Sequence, residues 1–187
     1  MIRRATTADL RFIRDLQRRF TNQIGFFPSA ATERELERGN ILHGSLNDDD
    51  AGFLLIRPAL SCQPTTATII QAAVRMDAQR QAVGLALVKQ AATDALVHGS
   101  TILQASCRAS LNANLFWPAA GFHAIATRRG GNAHAETIII WRKALVDGID
   151  LTNLHVDAYA RAPGGKFTTK ERTSILVRIS ESRSEES

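Results

Sequence analysis

The sequence predicts an α/β domain in which a mixed central sheet carries helices on both faces. Short apolar runs rich in β-branched residues recur along the chain, and Thr66–Val74 is the clearest of them. Segments with helical spacing alternate with these runs, as in Leu10, Ile13 and Leu16. The 187 residues, 44% of them hydrophobic, suffice for one ordinary domain with a substantial core and a small appendage.

The predicted elements follow the order β-α-α-β-β-β-α-β-α-β-β. The first helix begins at residues 7–9, and a Thr-Glu-Arg-Glu capping box at 32–35 opens the second. A third helix extends from Ala82 to residues 98–99, and Ser110 is a competent N-cap for a short fourth helix. The predicted strands span residues 1–5, 41–46, 52–57, 66–74, 102–106, 121–127 and 136–143, with a polar turn at 47–50.

The junction between the strand Thr66–Val74 and the third helix is the most informative segment of the chain. Residues 75–86 read Arg-Met-Asp-Ala-Gln-Arg-Gln-Ala-Val-Gly-Leu-Ala. The small residues Ala82, Gly84 and Ala86 let another group approach the backbone closely, and the free amides of a helix's first turn face outward. Together with the helix dipole, those amides make an anion site that suits a phosphate or pyrophosphate.

This junction resembles the acyl-CoA loop of the GNAT N-acyltransferases, which is written Gln/Arg-x-x-Gly-x-Gly/Ala. Residues 79–84 follow that pattern, with Ala82 in place of the first glycine and Gly84 at the later small position. A single loop of this kind is a weak signal, because any strand–turn–helix junction can place small residues there. A second segment at a suitable distance downstream strengthens the resemblance.

Residues 109–122 resemble the family's Asn-x-x-Ala-x-x-Leu-Tyr-x-x-x-Gly-Phe segment. Ala113, Phe116 and the Gly-Phe pair at 121–122 fall in register, Ser110 replaces the asparagine, and Trp117 replaces the tyrosine. The resemblance covers about residues 1–143. It implies the GNAT fold, with a mixed sheet of six to seven strands and helices on both faces. Residues 144–187 are then a C-terminal extension, with predicted strands at 149–156 and 173–179 and a disordered tail at 180–187.

The resemblance implies acetyl-CoA as co-substrate and an amine as acceptor. A backbone amide near the end of the strand, at residues 74–76, would polarise the thioester carbonyl. Phe26 and Phe27, between the first two helices, are implied as a wall of the acceptor pocket. The implied cofactor-binding residues are Val74, Arg75, Met76, Gln79, Arg80, Gln81, Ala82, Val83, Gly84, Leu85, Ala86, Asn112, Asn114 and Trp117.

The acid and the base that the family uses are both missing from their usual places. Trp117 stands where the family has the tyrosine that protonates the leaving thiolate. An indole N–H donates a hydrogen bond but gives up no proton at useful pH. The usual glutamate base on the central strands is absent, since residues 66–74 contain no carboxylate. Ser106 and Cys107 are therefore candidate catalytic residues beside Trp117, although Cys107 equally suits a buried core position. His123 and Glu136 on the last predicted hairpin are further candidates, although His123 equally suits a surface strand and Glu136 an ion pair with Arg128 or Arg142.

Charge leaves three functions open. Residues 1–143 contain 17 Lys and Arg against 11 Asp and Glu, and this excess suits CoA, an acidic or nucleic-acid acceptor, or simply a solvated surface. The favoured function is an N-acetyltransferase acting on a small molecule or protein amine. A nucleic-acid-modifying enzyme like the Mom-type phage proteins is the alternative, with contacts from Arg11, Arg14 and Arg18. The third is a GNAT-fold module that binds CoA without turnover.

Composition limits which cellular compartment and which partners the sequence predicts. Two cysteines, Cys62 and Cys107, form no disulfide or metal-ligand spacing, which favours the cytoplasm and predicts no metal site. No apolar run approaches the ~20 residues that a membrane span requires, so no membrane partner is predicted. The expected partners are acetyl-CoA and an amine acceptor, and a homodimer stays open.

Overall fold

The structure is a computed structural model that describes residues 1–60, 63–130 and 136–151. Seven strands are present in this part of the chain: β1 Ile2–Arg4, β2 Ile41–Leu46, β3 Asp49–Arg57, β4 Thr66–Val74, β5 Ile102–Arg108, β6 His123–Arg129 and β7 Thr137–Ala144. They form one sheet in the order β1-β2-β3-β4-β5-β7-β6. All neighbouring strands pair antiparallel except β4 and β5, which are parallel. The predicted mixed sheet is confirmed.

Five helices cover the two faces of the sheet in the described residues: α1 Leu10–Arg19, α2 Thr21–Ile24, α3 Ser29–Glu37, α4 Val83–Val97 and α5 Phe116–Ala119. Helices α1 to α3 pack on one face, where Ile13 and Leu16 contact Phe53 and Leu55 of β3. Helices α4 and α5 pack on the other face, where Leu87 joins Leu54 and Leu103. Successive β3 residues therefore fill different cores, as strand pleating requires.

The second predicted helix begins earlier than its capping box suggests. Helix α3 begins at Ser29, directly after Pro28, whose extended backbone sets the helix entry. Thr32 is buried inside the helix and donates a hydrogen bond to Gln17 Oε1 at 3.2 Å. A capping interaction is found instead before α1, where the Thr6 N–H donates to the Asp9 carboxylate at 2.7 Å. The capping-box prediction at 32–35 is wrong.

Several other predicted boundaries differ by a few residues. Strand β3 begins at Asp49 because Asn47 and Asp48, with φ of 50° and 68°, form a two-residue hairpin turn shorter than predicted. The fourth helix has Leu111, not Ser110, at its N-cap position, and it opens as a 3-10 turn over Asn112–Leu115. The Ser110 hydroxyl instead donates to Glu136 at 3.3 Å.

The chain after β7 turns back toward the sheet. The Arg142 guanidinium donates to the Leu151 carbonyl at 3.3 Å. Residues 149–151 lie outside any strand, so the start of the strand predicted at 149–156 is wrong. The rest of that strand, the strand predicted at 173–179 and the predicted tail lie outside the described residues. Among the described residues, no helix combines the length and the apolar character needed to cross a membrane.

Candidate active site

A gap opens between β4 and β5 in the middle of the sheet. The two strands pair only at residues 66–68 of β4 and 102–104 of β5, and they diverge beyond that point. The divergence follows a β-bulge, because Gln71 pairs with Leu55 whereas Ile69 pairs with Ile56, so Ile70 is an extra residue. A bulge bends its strand and re-aims the side chains that follow. The second half of β4 therefore has one edge with no strand partner.

Backbone groups near the end of β4 face this gap. The Arg75 N–H donates to the Ala51 carbonyl, on the β3 side, at 2.8 Å. Because hydrogen bonding alternates along an antiparallel pair, the Val74 N–H points the other way, into the gap. The Val74 carbonyl accepts a hydrogen bond from Gln79 Nε2 at 3.1 Å. Of the amides predicted to polarise a thioester, that of Arg75 is therefore already in use, whereas that of Val74 faces the gap.

Unpaired amides lie between the gap and α4. The N–H groups of residues 80 to 85 donate no hydrogen bond within the described part of the chain. The first intrahelical bond joins the Ala86 N–H to the Ala82 carbonyl at 2.9 Å. Arg80 and Ala82 both have φ of 61°, an alternation with Gln81 that turns successive N–H groups toward one concave side. Such an arrangement suits an anion of several oxygens, such as a pyrophosphate.

Gly84 joins the two sequence segments physically. A Cβ atom at this position would lie 3.2 Å from Phe116 Cε2 and 3.4 Å from Phe116 Cζ. The glycine therefore gives room to an aromatic ring of α5. Phe116 in turn packs edge-on against Trp117, with ring centroids 5.3 Å apart. The sequence predicts that Gly84 lets a ligand approach the backbone closely. In the structure, the group that approaches it is the ring of Phe116, in the segment 109–122.

A cavity of about 570 Å³ opens on the α1 face of the sheet, beside the residues that follow β4. Its lining comes from two distant parts of the sequence: Leu16, Arg19, Phe20, Gln23, Arg75, Met76 and Asp77. No spacing pattern links residues 16–23 to 75–77, so the cavity could not be found from the sequence. It lies beside Arg75, the residue that follows Val74 at the end of β4.

A network of buried polar side chains ties helix α1 and the α2–α3 connection to β4. Gln71 Nε2 donates to the Gly25 carbonyl at 2.9 Å, which ties the α2–α3 connection to β4 just after the bulge. Gln71 Oε1 accepts a hydrogen bond from Gln17 Nε2 at 2.8 Å, and Gln17 Oε1 accepts one from the Thr32 hydroxyl. All three side chains are buried, and the network satisfies them mutually.

Solved structures share this architecture. No family model matches the sequence, and no curated protein matches it. Ard1 from Thermoplasma volcanium aligns with a TM-score of 0.67 at 16% identity, over 79% of this chain and 98% of its own. The ribosomal-protein-S18-alanine N-acetyltransferase of Escherichia coli aligns with a TM-score of 0.61 at 22% identity, over 83% and 98%. The chain adopts the GNAT fold.

A third GNAT neighbour was solved with a ligand. The yncA protein of Salmonella typhimurium, with its cofactor acetyl-CoA, aligns with a TM-score of 0.66 at 15% identity, over 80% of this chain and 96% of its own. Identities of this size establish the shared fold alone. The function of this chain therefore has to be argued from its own residues.

The predicted catalytic residues of this GNAT fold do not form one cluster. Trp117 is only 7% exposed, packed between Phe116 and Phe122, and no acceptor in the described residues meets hydrogen-bond geometry at its Nε1. Burial raises the pKa of the Cys107 thiol, and the nearby indole N–H of Trp117 and the positive charge of Arg108 partly oppose that rise. Ser106 is exposed on the opposite face of β5. Trp117 and Cys107 thus meet in the core, apart from Ser106.

The two asparagines predicted as cofactor-binding residues have different environments. Asn114 Nδ2 donates to the Arg108 and Leu111 carbonyls at 2.7 and 2.9 Å, and its Oδ1 accepts from Trp141 Nε1 at 3.1 Å. Asn114 therefore holds the β5–α5 connection together. Asn112 is exposed at the start of the 3-10 turn. Its predicted contact with the cofactor stays a prediction.

The predicted acceptor wall lies beside the cavity but not in its lining. Phe26 is 80% exposed. Phe27 is half-buried, and the Arg57 guanidinium lies 5.7 Å from its ring centroid. Neither ring lines the cavity, and their role toward an acceptor stays a prediction.

The arginine stripe predicted on α1 is largely neutralised. Arg14 pairs with Glu33, and Arg18 pairs with Asp15. Helical spacing alone would also allow Asp15 to pair with Arg11 or Arg19. Paired arginines present little free positive charge to a polyanion. This face offers weak support for a nucleic-acid acceptor.

An Asp-His-Asp group lies at the other end of the sheet. Asp9, His43 and Asp50 offer ligand atoms within 4.8 Å of one another, a grouping that the sequence did not reveal. Arg3 already donates to both Asp9 oxygens, at 2.7 and 2.8 Å, and His43 Nε2 contacts Asp50 Oδ1 at 2.8 Å. The guanidinium supplies the positive charge that these carboxylates need, so we assign no metal to them.

Proposed function

We propose that this chain is an acyl-CoA-dependent N-acyltransferase that moves an acetyl group from acetyl-CoA to an amine. One observation carries the proposal: the unpaired amides of residues 80–85 lie at the open end of the gap between β4 and β5. An anion site alone would suit many phosphorylated ligands. An anion site that continues into an unpaired strand edge suits a ligand with a pyrophosphate followed by an amide-containing arm.

The pyrophosphate, the pantetheine arm and the thioester of acetyl-CoA each have a matching feature in this arrangement. The pyrophosphate would accept hydrogen bonds from the amides of residues 80–85, and the exposed Arg80 guanidinium would add charge. The pantetheine amides would pair with the free edge of β4 beyond the bulge, as an added strand does. The thioester oxygen would then accept a hydrogen bond from the Val74 N–H. The acetyl-CoA in the yncA structure supports this assignment.

The reaction requires an uncharged amine in the cavity. Its lone pair attacks the acyl carbon, a C–N bond forms and the C–S bond breaks. The CoA thiolate takes up the proton that the amine loses, so CoA leaves as the thiol. The Val74 N–H would stabilise the negative charge that develops on the acyl oxygen. Asp77, which forms an ion pair with Arg75 at 2.9 Å, is the carboxylate of the cavity lining.

A second candidate is a module that binds CoA without turnover. The orientation of Trp117 favours it, because the residue in the place of the family's acid points its N–H into the core. The sole tyrosine, Tyr159, lies outside the described residues. The cytoplasmic location, the homodimer and the division into a domain at 1–143 and an extension at 144–187 stay predictions from the sequence.

Calorimetry tests the proposal by comparing the affinity for acetyl-CoA of the wild type with that of a variant in which one loop charge is reversed. Arg80→Glu should weaken binding about 10-fold or more, because it places a carboxylate beside the bound pyrophosphate. Lys89→Glu is the matched control: it makes the same change of charge on an exposed face of α4, roughly 9 Å along the helix axis from Val83. Its affinity should stay within about twofold of the wild type.

Turnover separates the candidates. Free CoA thiol is measured with amines, peptides and DNA as acceptors. Release with an amine or a peptide is the expected result, and release with DNA alone would favour the nucleic-acid-modifying alternative. Binding without release from any acceptor would establish the CoA-binding module. No binding of wild-type protein at millimolar acetyl-CoA would refute the proposed function.

A further inference from the structure

We propose that the acceptor is a small amine that also carries a carboxylate, and that Arg19 binds this carboxylate in the cavity beside β4. The inference rests on the proposed acyl transfer and deepens it by naming the substrate class. It draws on three properties of the cavity: its charge, its apolar side and its size.

Arg19 is a cation in the cavity lining that has no carboxylate partner. Its exposed guanidinium makes no ion pair or hydrogen bond with the described residues. Arg14 and Arg18 on the same helix are paired with acids, and Arg11, which is also unpaired among these residues, lies outside the cavity lining. The other charges of the lining, Arg75 and Asp77, neutralise each other at 2.9 Å. The cavity therefore presents one uncompensated positive charge. A guanidinium binds a carboxylate through two parallel N–H···O bonds.

The remaining lining suits a short carbon chain. Leu16 is 2% exposed and Phe20 is half-buried, so they form an apolar side below the guanidinium. The Gln23 carboxamide has no partner in the described residues and can bind a second polar group. Arg19 and Gln23 lie on the helical side of the cavity, and residues 75–77 lie on the β4 side. In this proposal, a carboxylate held at Arg19 places the amine end on the side of residues 75–77, which follow Val74.

Size and charge favour a small acceptor that carries a carboxylate. A volume of about 570 Å³ falls in the range of small-molecule pockets. A polyamine would bring a second positive charge beside Arg19, which costs binding energy. A single guanidinium matches one carboxylate, whereas a phosphate dianion would call for more than one cation.

The experiment compares three series of amines of equal chain length. Straight-chain amino carboxylates, the corresponding amino carboxamides and diamines are offered with acetyl-CoA, and kcat/KM is taken from CoA release. Variants Arg19→Gln and Arg19→Glu are compared with the matched control Arg11→Gln. Arg11 is an exposed arginine of the same helix, outside the cavity lining and without an ion pair in the described residues.

Wild-type protein should prefer amino carboxylates over amino carboxamides by about 10- to 100-fold, equivalent to about 1.4 to 2.7 kcal/mol. Arg19→Gln should lose that preference while its rate with the carboxamides changes less than about threefold, and Arg19→Glu should turn the preference toward the diamines. Arg11→Gln should behave as the wild type. Equal turnover of carboxylates and carboxamides by the wild type, or an unchanged preference in Arg19→Gln, would overturn the proposal.

Direct binding keeps this inference distinct from the proposed function. Calorimetry with each amino carboxylate and no acetyl-CoA should detect Arg19-dependent binding in the wild type, lost in Arg19→Gln. If acetyl-CoA binds but only neutral amines or diamines are acylated, the proposed substrate class is refuted and the proposed acyl transfer is not. Failure of acetyl-CoA to bind, with amino carboxylates still bound through Arg19, would refute acyl transfer alone.

Discussion

The Asp9 carboxylate at the β1–β3 edge of the sheet is fully paired, whereas several polar groups around the β4–β5 gap are left open. At the edge, the Asp9 carboxylate accepts two hydrogen bonds from Arg3 and one from the Thr6 N–H. At the gap, the amides of residues 80–85 and the guanidinium of Arg19 have no partner in the described residues. Folded proteins rarely leave such groups unpaired without water or a ligand to satisfy them. The comparison separates polar groups that stabilise the fold from polar groups that can bind.

The largest expected effect comes from breaking the paired region. Asp9→Ala removes the carboxylate that Arg3 and Thr6 bind, so we expect the free energy of unfolding to fall by about 2 to 3 kcal/mol. The exposure of Arg3, at 45% of its side chain, keeps the figure below that of a fully buried pair. Denaturant titration measures the loss. Binding of acetyl-CoA should be unchanged, and a large loss of affinity at unchanged stability would contradict the division between the two regions.

The same variant has a pH signature. Hydrogen bonding to Arg3 lowers the pKa of Asp9 below its ordinary value, and the Thr6 bonds add to this against the opposing effect of burial. Because the folded pKa is depressed, Asp9 contributes stability above its unfolded pKa of about 3.9, and the contribution is lost as pH falls below that value. The stability difference between wild type and Asp9→Ala should therefore be full at pH 6 and shrink toward pH 3. A difference that grows on acidification would contradict the assignment.

A smaller effect distinguishes the two tryptophans near the gap. Trp117 Nε1 has no acceptor in the described residues, whereas Trp141 Nε1 donates to Asn114 at 3.1 Å. Trp117→Phe removes an unsatisfied donor and should cost only about 1 kcal/mol of stability, with kcat/KM within about threefold of the wild type. Trp141→Phe, the matched control, should cost more because it leaves Asn114 Oδ1 without its donor. A hundredfold loss of kcat/KM in Trp117→Phe, about 2.7 kcal/mol, with acetyl-CoA binding intact, would show that the indole N–H takes part in the reaction.

The fold and the open amides of residues 80–85 were predictable because local signals agree there. Strand β4 spans Thr66–Val74 as predicted, since a continuous β-branched run bounded by polar residues has no good helical alternative. The open amides follow from a strand, a polar break and a helix start, all of which are local. Ala82 shows the limit of a motif: it adopts the left-handed conformation where the pattern has glycine, at a cost of about 1 kcal/mol.

The cavity beside β4 was not predictable, because it depends on contacts between distant segments. Helix α3 begins at Ser29 rather than at a capping box, and Thr32 is used to satisfy Gln17 in a buried network. The cavity requires Arg19 of α1 and Asp77 after β4 to line the same space. The role of Gly84 was predicted by type but not by partner, since the group that approaches it is the ring of Phe116.

Hydrogen exchange resolved to single amides tests the central claim most directly. The unpaired N–H groups of residues 80–85 and the Val74 N–H should exchange rapidly in free protein and slow by about 10-fold or more with saturating acetyl-CoA. The Thr6 N–H, already bonded to Asp9, should show no change on the same addition. Protection of residues 80–85 and Val74 without change at Thr6 is the predicted result. Bound acetyl-CoA that leaves exchange at residues 80–85 unaltered would contradict the account.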